Sequence, residues 1–299
     1  MLGINAIKIT PSILMQISEI DEFKGLWAGL DKHTTGLHLL GDFADYGSKF
    51  SGLTTALKDQ PLSADMIRRL HGVLDGKQSF SPYKIAATPL EIPSKDNAIG
   101  TINTAEPADI EPLLSKLCEW VNESLDKKML HPLLIAAVFT SVFLQIAPFE
   151  DKNFRITYFL IILILLKSQY TYIPYVSLSK LIDARAAKFH QTLKHNQISL
   201  EEGKPDWSQW LTCFLEIMRD QKNELHSRLY DKEHEIGDLP ALSARIMALF
   251  KEHKRLQMKQ IIKLTNGRRA TIKLRLSELL ESGYLRRHGQ GRGTWYSLV

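Results

Sequence analysis

The sequence of 299 residues contains only two cysteines, Cys118 and Cys213, and each lies within an apolar helical pattern. A disulfide framework is therefore not expected, and a reducing compartment fits the composition. The N-terminus lacks the basic start, apolar stretch and small-residue cleavage site of a secretory signal. The longest apolar run, from Ile156 to Leu166, is shorter than the roughly 20 residues that span a bilayer. These absences predict a cytoplasmic protein without a membrane partner.

The formal net charge of +5 conceals a strongly basic C-terminal segment. Residues 241–299 contain 13 basic and 3 acidic residues, a net charge of +10, so the rest of the chain carries −5. Because a basic segment attracts polyanions, this asymmetry predicts separate functions for the tail and for the acidic body. Neither a P-loop nor a glycine-rich dinucleotide pattern occurs, which removes two common classes of nucleotide-binding protein.

Apolar residues recur three or four positions apart through most of the chain, which predicts a mainly α-helical fold. The predicted helices of the body are 110–125, 131–146, 153–167, 178–195 and 207–229. The pattern fails between Phe80 and Pro107, where turn-forming residues predict a loop or small β-hairpin. Short extended pieces are expected there at 83–87 and 98–101.

The tail, residues 241–299, combines three predicted helices with a glycine-rich basic hairpin. The helices are 241–253, 257–264 and 268–281, and two strands flank the turn at 288–291. Basic residues lie toward the start of the third helix and near the tip of the hairpin: Arg268, Arg269, Lys273, Arg286, Arg287 and Arg292. This layout is typical of a winged helix-turn-helix domain, whose recognition helix enters the major groove of DNA.

The charge excess, the helix spacing and the basic hairpin together favour duplex DNA as the partner of the tail. The hairpin arginines are expected to contact phosphates, with Arg269 and Lys273 nearest to the base edges. The alternative is that these charges form the solvated surface of an accessory domain, or that the fold mediates protein contacts.

Residues 147–158 read APFEDKNFRITY and lie between two predicted helices. This segment resembles the motif of the Fic family, which runs His, Pro, Phe, any residue, an acidic residue, Gly, Asn, Gly, Arg, two further residues and Arg. The retained positions are Pro148, Phe149, Asp151, Asn153 and Arg155. The helical patterns on both sides also resemble the family, over residues 40–225, and a winged helix is a familiar addition to bacterial Fic proteins.

The resemblance implies a Fic-type helical bundle with a small β-hairpin flap, followed by a winged-helix domain. The implied boundaries are 1–105 for an N-terminal helical region with the flap, 106–230 for the Fic core, 231–240 for a polar linker and 241–299 for the winged helix. It also implies protein adenylyl transfer with ATP and Mg²⁺. In that chemistry Asp151 would hold the metal, and the nucleotide contacts would be Phe149, Lys152, Asn153 and Arg155.

The motif departs from the family at positions that its chemistry needs. Ala147 stands where the family has the histidine that takes a proton from the attacking hydroxyl, a step worth roughly 10²- to 10⁴-fold in rate. Lys152 and Phe154 replace two glycines, and Tyr158 replaces the last arginine. We therefore expect a regulator or adaptor with impaired transfer. The alternative is an active adenylyltransferase that uses another base.

The retained motif residues also have structural interpretations. Phe149 can anchor the core, and Asp151 or Asn153 can cap the helix that begins near residue 153. Lys152 can serve as a replacement phosphate contact. A protein target and a homodimer both stay open at this point.

Overall fold

The computed structural model describes residues 4–30, 43, 47–74, 76, 80–92, 100–237 and 240–299. This part of the chain contains twelve α-helices and five short strands, which confirms the mainly α-helical class. None of the described helices combines the length and apolarity that crossing a bilayer requires. The chain divides into two compact units, residues 1–28 with 39–223, and residues 29–38 with 224–299.

The helices that precede residue 240 follow the apolar periodicity of the sequence. They are α1 (Pro11–Gly29), α2 (Gly47–Leu57), α3 (Ala64–Leu74), α4 (Pro107–Asp126), α5 (Pro132–Ile146), α6 (Asn153–Lys167), α7 (Leu178–Ala184), α8 (Ala186–Glu201) and α9 (Ser208–Gly237). Helices α5 and α6 are buried on nearly all sides, as expected of segments that are apolar all round. Their burial fixes the position of the loop that joins them.

Several helix boundaries differ from the sequence prediction: α4 begins at Pro107 rather than at 110, and α8 ends at Glu201 rather than at 195. The helix predicted at 178–195 is two helices, α7 and α8, which meet at Arg185. The guanidinium of Arg185 pairs with Asp220 at 2.5 Å and with Glu216 at 3.4 Å, both on α9. Apolar periodicity carries no signal for a break held by such distant ion pairs. In addition, α9 continues through Gly237, into the segment predicted as a linker.

The predicted β-hairpin is present, with strands placed later than the sequence suggested. Strand β1 (Leu90–Ile92) pairs antiparallel with β2 (Gly100–Ile102). The extended piece predicted at 83–87 is not a strand, and of 98–101 the first two residues lie outside the described part of the chain. Just beyond β2, the Gln197 side chain on α8 accepts from the Asn103 N–H (3.2 Å) and donates to the Asn103 carbonyl (2.8 Å). The hairpin is therefore anchored to α8.

The hairpin meets α8 closely at Gly100, and we expect Gly100→Ala to lower the free energy of unfolding by about 1 kcal/mol. A Cβ at this position would lie 2.4 Å from Cε1 of His190, so the ring or the strand must move. The matched control is Gly52→Ala within α2, where a Cβ meets nothing within 4 Å. That variant should gain about 0.5–1 kcal/mol. Urea unfolding of both variants measures the difference, and an equal effect would contradict the steric argument.

The second unit contains the three helices and two strands predicted for the tail, with one further strand. The elements are α10 (Ala241–Glu252), β3 (Leu256–Gln257), α11 (Met258–Thr265), α12 (Arg269–Glu281), β4 (Leu285–His288) and β5 (Trp295–Leu298). The strands form an antiparallel sheet in the order β3-β5-β4. A separate apolar core, which includes Ile246, Ile261, Ile272 and Leu276, lies among these elements. The tail therefore has its own packed core.

Candidate functional site

The loop between α5 and α6, residues 147–152, is closed by the side chain of Asn153. Its Oδ1 accepts a hydrogen bond from the Phe149 N–H (3.1 Å), and its Nδ2 donates to the Phe149 carbonyl (2.7 Å). Asn153 is 4% exposed. Both ends of its amide group thus hold the loop backbone, although the sequence suggested a nucleotide contact.

Both ends of this loop adopt left-handed backbone conformations. Ala147, the C-cap of α5, has φ 41°, and Lys152, the N-cap of α6, has φ 55°. A residue with a Cβ pays roughly 1–2 kcal/mol to adopt this conformation. Lys152, at a position where the family motif has glycine, therefore has the backbone conformation that favours glycine.

The aromatic substitutions in the motif pack together and into the body. The ring of Phe154 lies 6.2 Å from Tyr158 and 6.3 Å from Phe189 on α8, measured between centroids. Tyr158 is 5% exposed. Phe154 therefore contributes to the packing between α6 and α8, and Tyr158 packs beside it on α6.

His71 on α3 contacts the loop, which no sequence spacing indicated. Its Nδ1 lies 2.8 Å from Ser81 Oγ, and its Nε2 lies 3.1 Å from the carbonyl oxygen of Asp151. The imidazole stacks on Phe149 with a centroid distance of 3.9 Å. Because both ring nitrogens are engaged and the residue is buried, His71 is poorly suited to accept a proton from a substrate. Phe149 is itself buried, as expected of a core anchor.

Residues 81–85, which we call the strap, run across the same loop. The Lys84 N–H donates to the Pro148 carbonyl (3.0 Å). The Ile85 N–H donates to Glu150 Oε1 (2.9 Å). The strap thus binds the loop through both a backbone and a side-chain acceptor.

The ammonium group of Lys84 lies beneath the C-terminus of α5. It donates to Thr104 Oγ1 (2.6 Å) and to the Ile146 carbonyl (3.3 Å), and the residue is 2% exposed. Burial lowers the pKa of Lys84, although Glu150 and Glu106 act in the opposite direction. A positive charge here stabilises the C-terminal end of the α5 dipole, next to Ala147.

The solvent-facing part of the loop carries Asp151 and Lys152. The Asp151 side chain is 65% exposed, with Lys152 Nζ 3.9 Å and His71 Nε2 3.8 Å from its oxygens. Arg155, in the first turn of α6, is partly buried. No group of three or more His, Cys, Asp and Glu side chains suited to a metal ion occurs among the described residues.

This arrangement fits a phosphate group better than it fits proton abstraction. The first N–H groups of a helix lack carbonyl partners within it, and together with the helix dipole they favour an anion. Asp151 offers one exposed carboxylate as a ligand for Mg²⁺. Ala147 is 2% exposed and has no side-chain acceptor for a proton.

Five basic residues of the second unit are exposed: Arg268, Arg269, Lys273, Arg286 and Arg287. Two other arginines of the unit have structural partners. Arg245 donates to the Thr265 carbonyl (3.0 Å), and Arg275 pairs with Glu278 at 2.7 Å. Arg292 lies in the turn between β4 and β5. The structure thus separates residues that stabilise the unit from residues that face solvent.

Comparison with known proteins places the loop and its helices in a family. Residues 61–165 match the model of the Fic/DOC family. The chain is similar to a Fic family protein from Desulfovibrio desulfuricans G20, with a TM-score of 0.54, 17% identity and 98% of each chain covered. A Fic domain containing signaling protein from Bacteroides thetaiotaomicron VPI-5482 gives a TM-score of 0.40 at 21% identity, over 74% of this chain and 87% of its own. No curated protein matches. The first structure shares the fold, and residues 61–165 form a Fic/DOC family domain.

Proposed function

We propose that the chain is a DNA-binding regulator or adaptor whose Fic/DOC domain has little capacity for adenylyl transfer. The tail, residues 241–299, acts in this proposal as a winged helix-turn-helix domain. The observation that carries the proposal is the exposure of the basic residues at the start of α12 and on β4. Positive side chains on a helix and on an adjacent hairpin suit phosphates on two sides of a groove.

The Fic/DOC domain serves in this proposal to bind a phosphate-containing ligand or a protein, with little chemistry. When bound, ATP with Mg²⁺ supplies the electrophilic phosphate. The N-terminus of α6 would hold the phosphates and Asp151 the metal. Ala147 cannot accept the proton of an attacking hydroxyl, and the Asn153 amide is already bonded to Phe149.

An active protein adenylyltransferase is the second candidate, and one observation favours it. Lys152 keeps the left-handed backbone of a glycine, so the loop still opens onto the N-terminus of α6. Transfer would then need another proton acceptor near Asp151. Incubation with labelled ATP and Mg²⁺ separates the candidates, since only this one gives labelled protein at a rate comparable to that of intact family members.

The DNA-binding proposal predicts that the full chain shifts duplex DNA, and that Arg269→Ala, Lys273→Ala, Arg287→Ala together abolish the shift at physiological salt and leave only weak binding at low salt, where the slope is measured. Each lost phosphate contact reduces the slope of log affinity against log salt by about 0.9, so the slope should weaken by about three. Mobility-shift assays at several salt concentrations measure both quantities.

The control for this variant removes the same charge elsewhere. Lys8, Lys116 and Lys204 are exposed residues of the first unit. Their triple alanine variant should bind DNA almost as the native chain does. Equal losses in the two triple variants would indicate a net-charge effect, and unchanged binding by the first would favour a protein-contact surface.

A further inference from the structure

The side of α12 that faces away from the core of the second unit is not its basic side. The buried residues of this helix are Ile272, Leu276 and Leu279. At about 100° of rotation per residue, the residues that point in the opposite direction are Ala270, Leu274, Ser277 and, at the C-terminal end, Glu281. All four are exposed, and Leu274 is 55% exposed. In the first turns of the helix, Ala270, Leu274 and Ser277 therefore form an outermost ridge whose one large side chain is apolar.

Basic residues flank this ridge on one side. Arg269 and Lys273 are exposed and lie nearer to the buried face than Leu274 does, by the same helical geometry. Arg268 precedes them as the N-cap. A helix inserted into a major groove turns its outermost face to the bases and its flanks to the phosphates. The flanking charges are therefore placed for phosphates and the ridge for the groove floor.

The apolar side chain of Leu274 limits which groups of the DNA the ridge can contact favourably. Leucine neither donates nor accepts hydrogen bonds, so the acceptors of guanine give it no favourable contact. The apolar group that the major groove presents is the C5-methyl of thymine. We propose that Leu274 recognises thymine methyl groups in duplex DNA, an inference that rests on the proposed function. It assigns Arg269 and Lys273 to phosphates, whereas the sequence suggested base edges.

Charge complementarity favours DNA over a protein as the occupant of this face. The exposed basic residues beside the ridge are suited to a polyanion, and the small neighbours Ala270 and Ser277 leave Leu274 as its single large apolar side chain. A stable protein interface needs a broader apolar core than one leucine. Leu264 on α11, 47% exposed, offers a matched leucine outside the ridge.

The test uses the full chain and duplexes selected by it from a random-sequence pool. Each thymine of a selected duplex is replaced by deoxyuridine, which removes only the C5-methyl. The native chain should lose about fourfold in affinity for each contacted methyl. Leu274→Ala should bind the thymine and deoxyuridine duplexes equally, and Leu264→Ala should keep the native preference. Fluorescence anisotropy of labelled duplexes measures the affinity of all three proteins for the thymine and deoxyuridine duplexes.

Four outcomes would overturn the assignment. If the native chain binds but ignores the methyl groups, or Leu274→Ala keeps the preference, the ridge does not read thymine, although the proposed DNA binding stands. If Leu274→Ala dissociates an oligomer in sedimentation without changing DNA affinity, the ridge is a protein contact. If nothing in the pool is bound, the proposed DNA binding itself is wrong.

Discussion

Asn153→Ala is expected to lower the free energy of unfolding by about 3 kcal/mol. The change removes both hydrogen bonds to Phe149 and leaves a buried N–H and a buried C=O without partners. Each such group costs roughly 1–3 kcal/mol. Tryptophan fluorescence during urea unfolding reports on the first unit through Trp27, Trp207 and Trp210, which are buried there.

Asn122→Ala is the matched control for this loss. The Asn122 side chain bonds both the N–H and the C=O of Leu62, each at 2.8 Å, but Asn122 itself is only partly buried. Water can therefore replace part of what the amide supplied, and we expect a loss of about 1 kcal/mol. If Asn153→Ala costs no more than Asn122→Ala, the Asn153 amide does not hold the loop as the hydrogen bonds indicate.

The hydrogen bonds of Asn153 show why this residue is useful to the loop independently of nucleotide binding. The same residue type serves both interpretations made from the sequence, a ligand contact and a structural cap. Its inward bonds preserve the loop whether or not a nucleotide binds. Retention of Asn153 in a chain without the motif histidine is therefore explained by stability alone, and it carries no information about catalysis.

The helices around the loop could be predicted from the sequence. A helix buried on one side has apolar residues three or four positions apart, and a helix buried on all sides is a continuous apolar run. Helix α6 begins at Asn153 and ends at Lys167, as predicted. The contacts of His71 and Lys84 with the loop could not be predicted. They join residues that are more than 60 positions apart, and neither residue belongs to a recognisable spacing. Short-range sequence patterns carry no information about such long-range contacts.

The outward face of α12 shows a different limit. Apolar periodicity in the sequence indicates that Ile272, Leu276, Leu279 and Leu280 share one face of this helix, and in the structure the first three are buried and Leu280 is partly buried. The burial of these residues, with the rotation of about 100° per residue, then defines the direction that faces away from the core. From the sequence, charge alone indicated Arg269 and Lys273 as the DNA contacts, and nothing distinguished Leu274 from the other leucines of the helix.

Ala147→His alone is expected to raise adenylyl transfer by less than about tenfold, because a base is useful only when the phosphate is held in line with the attacking hydroxyl. Ala147 already has the left-handed conformation in which it caps α5, and its side chain is buried. The new imidazole would therefore have to displace neighbouring groups. Incorporation of labelled ATP into protein measures the rate, with the native chain as reference.

Restoring all four altered positions, with Ala147→His, Lys152→Gly, Phe154→Gly and Tyr158→Arg, should raise transfer by about 10²- to 10⁴-fold. Lys152→Gly removes the strain of φ 55° and clears the phosphate side of the loop. Phe154→Gly opens space beside Tyr158, whose burial would otherwise leave a new guanidinium without solvent. The control is the triple variant that keeps Ala147. It should fold as well as the fourfold variant, and its rate of adenylyl transfer should rise little above that of the native chain. If the native chain already transfers adenylate as fast as the restored one, the altered motif is not what limits this domain, and a residue near Asp151 must supply the base.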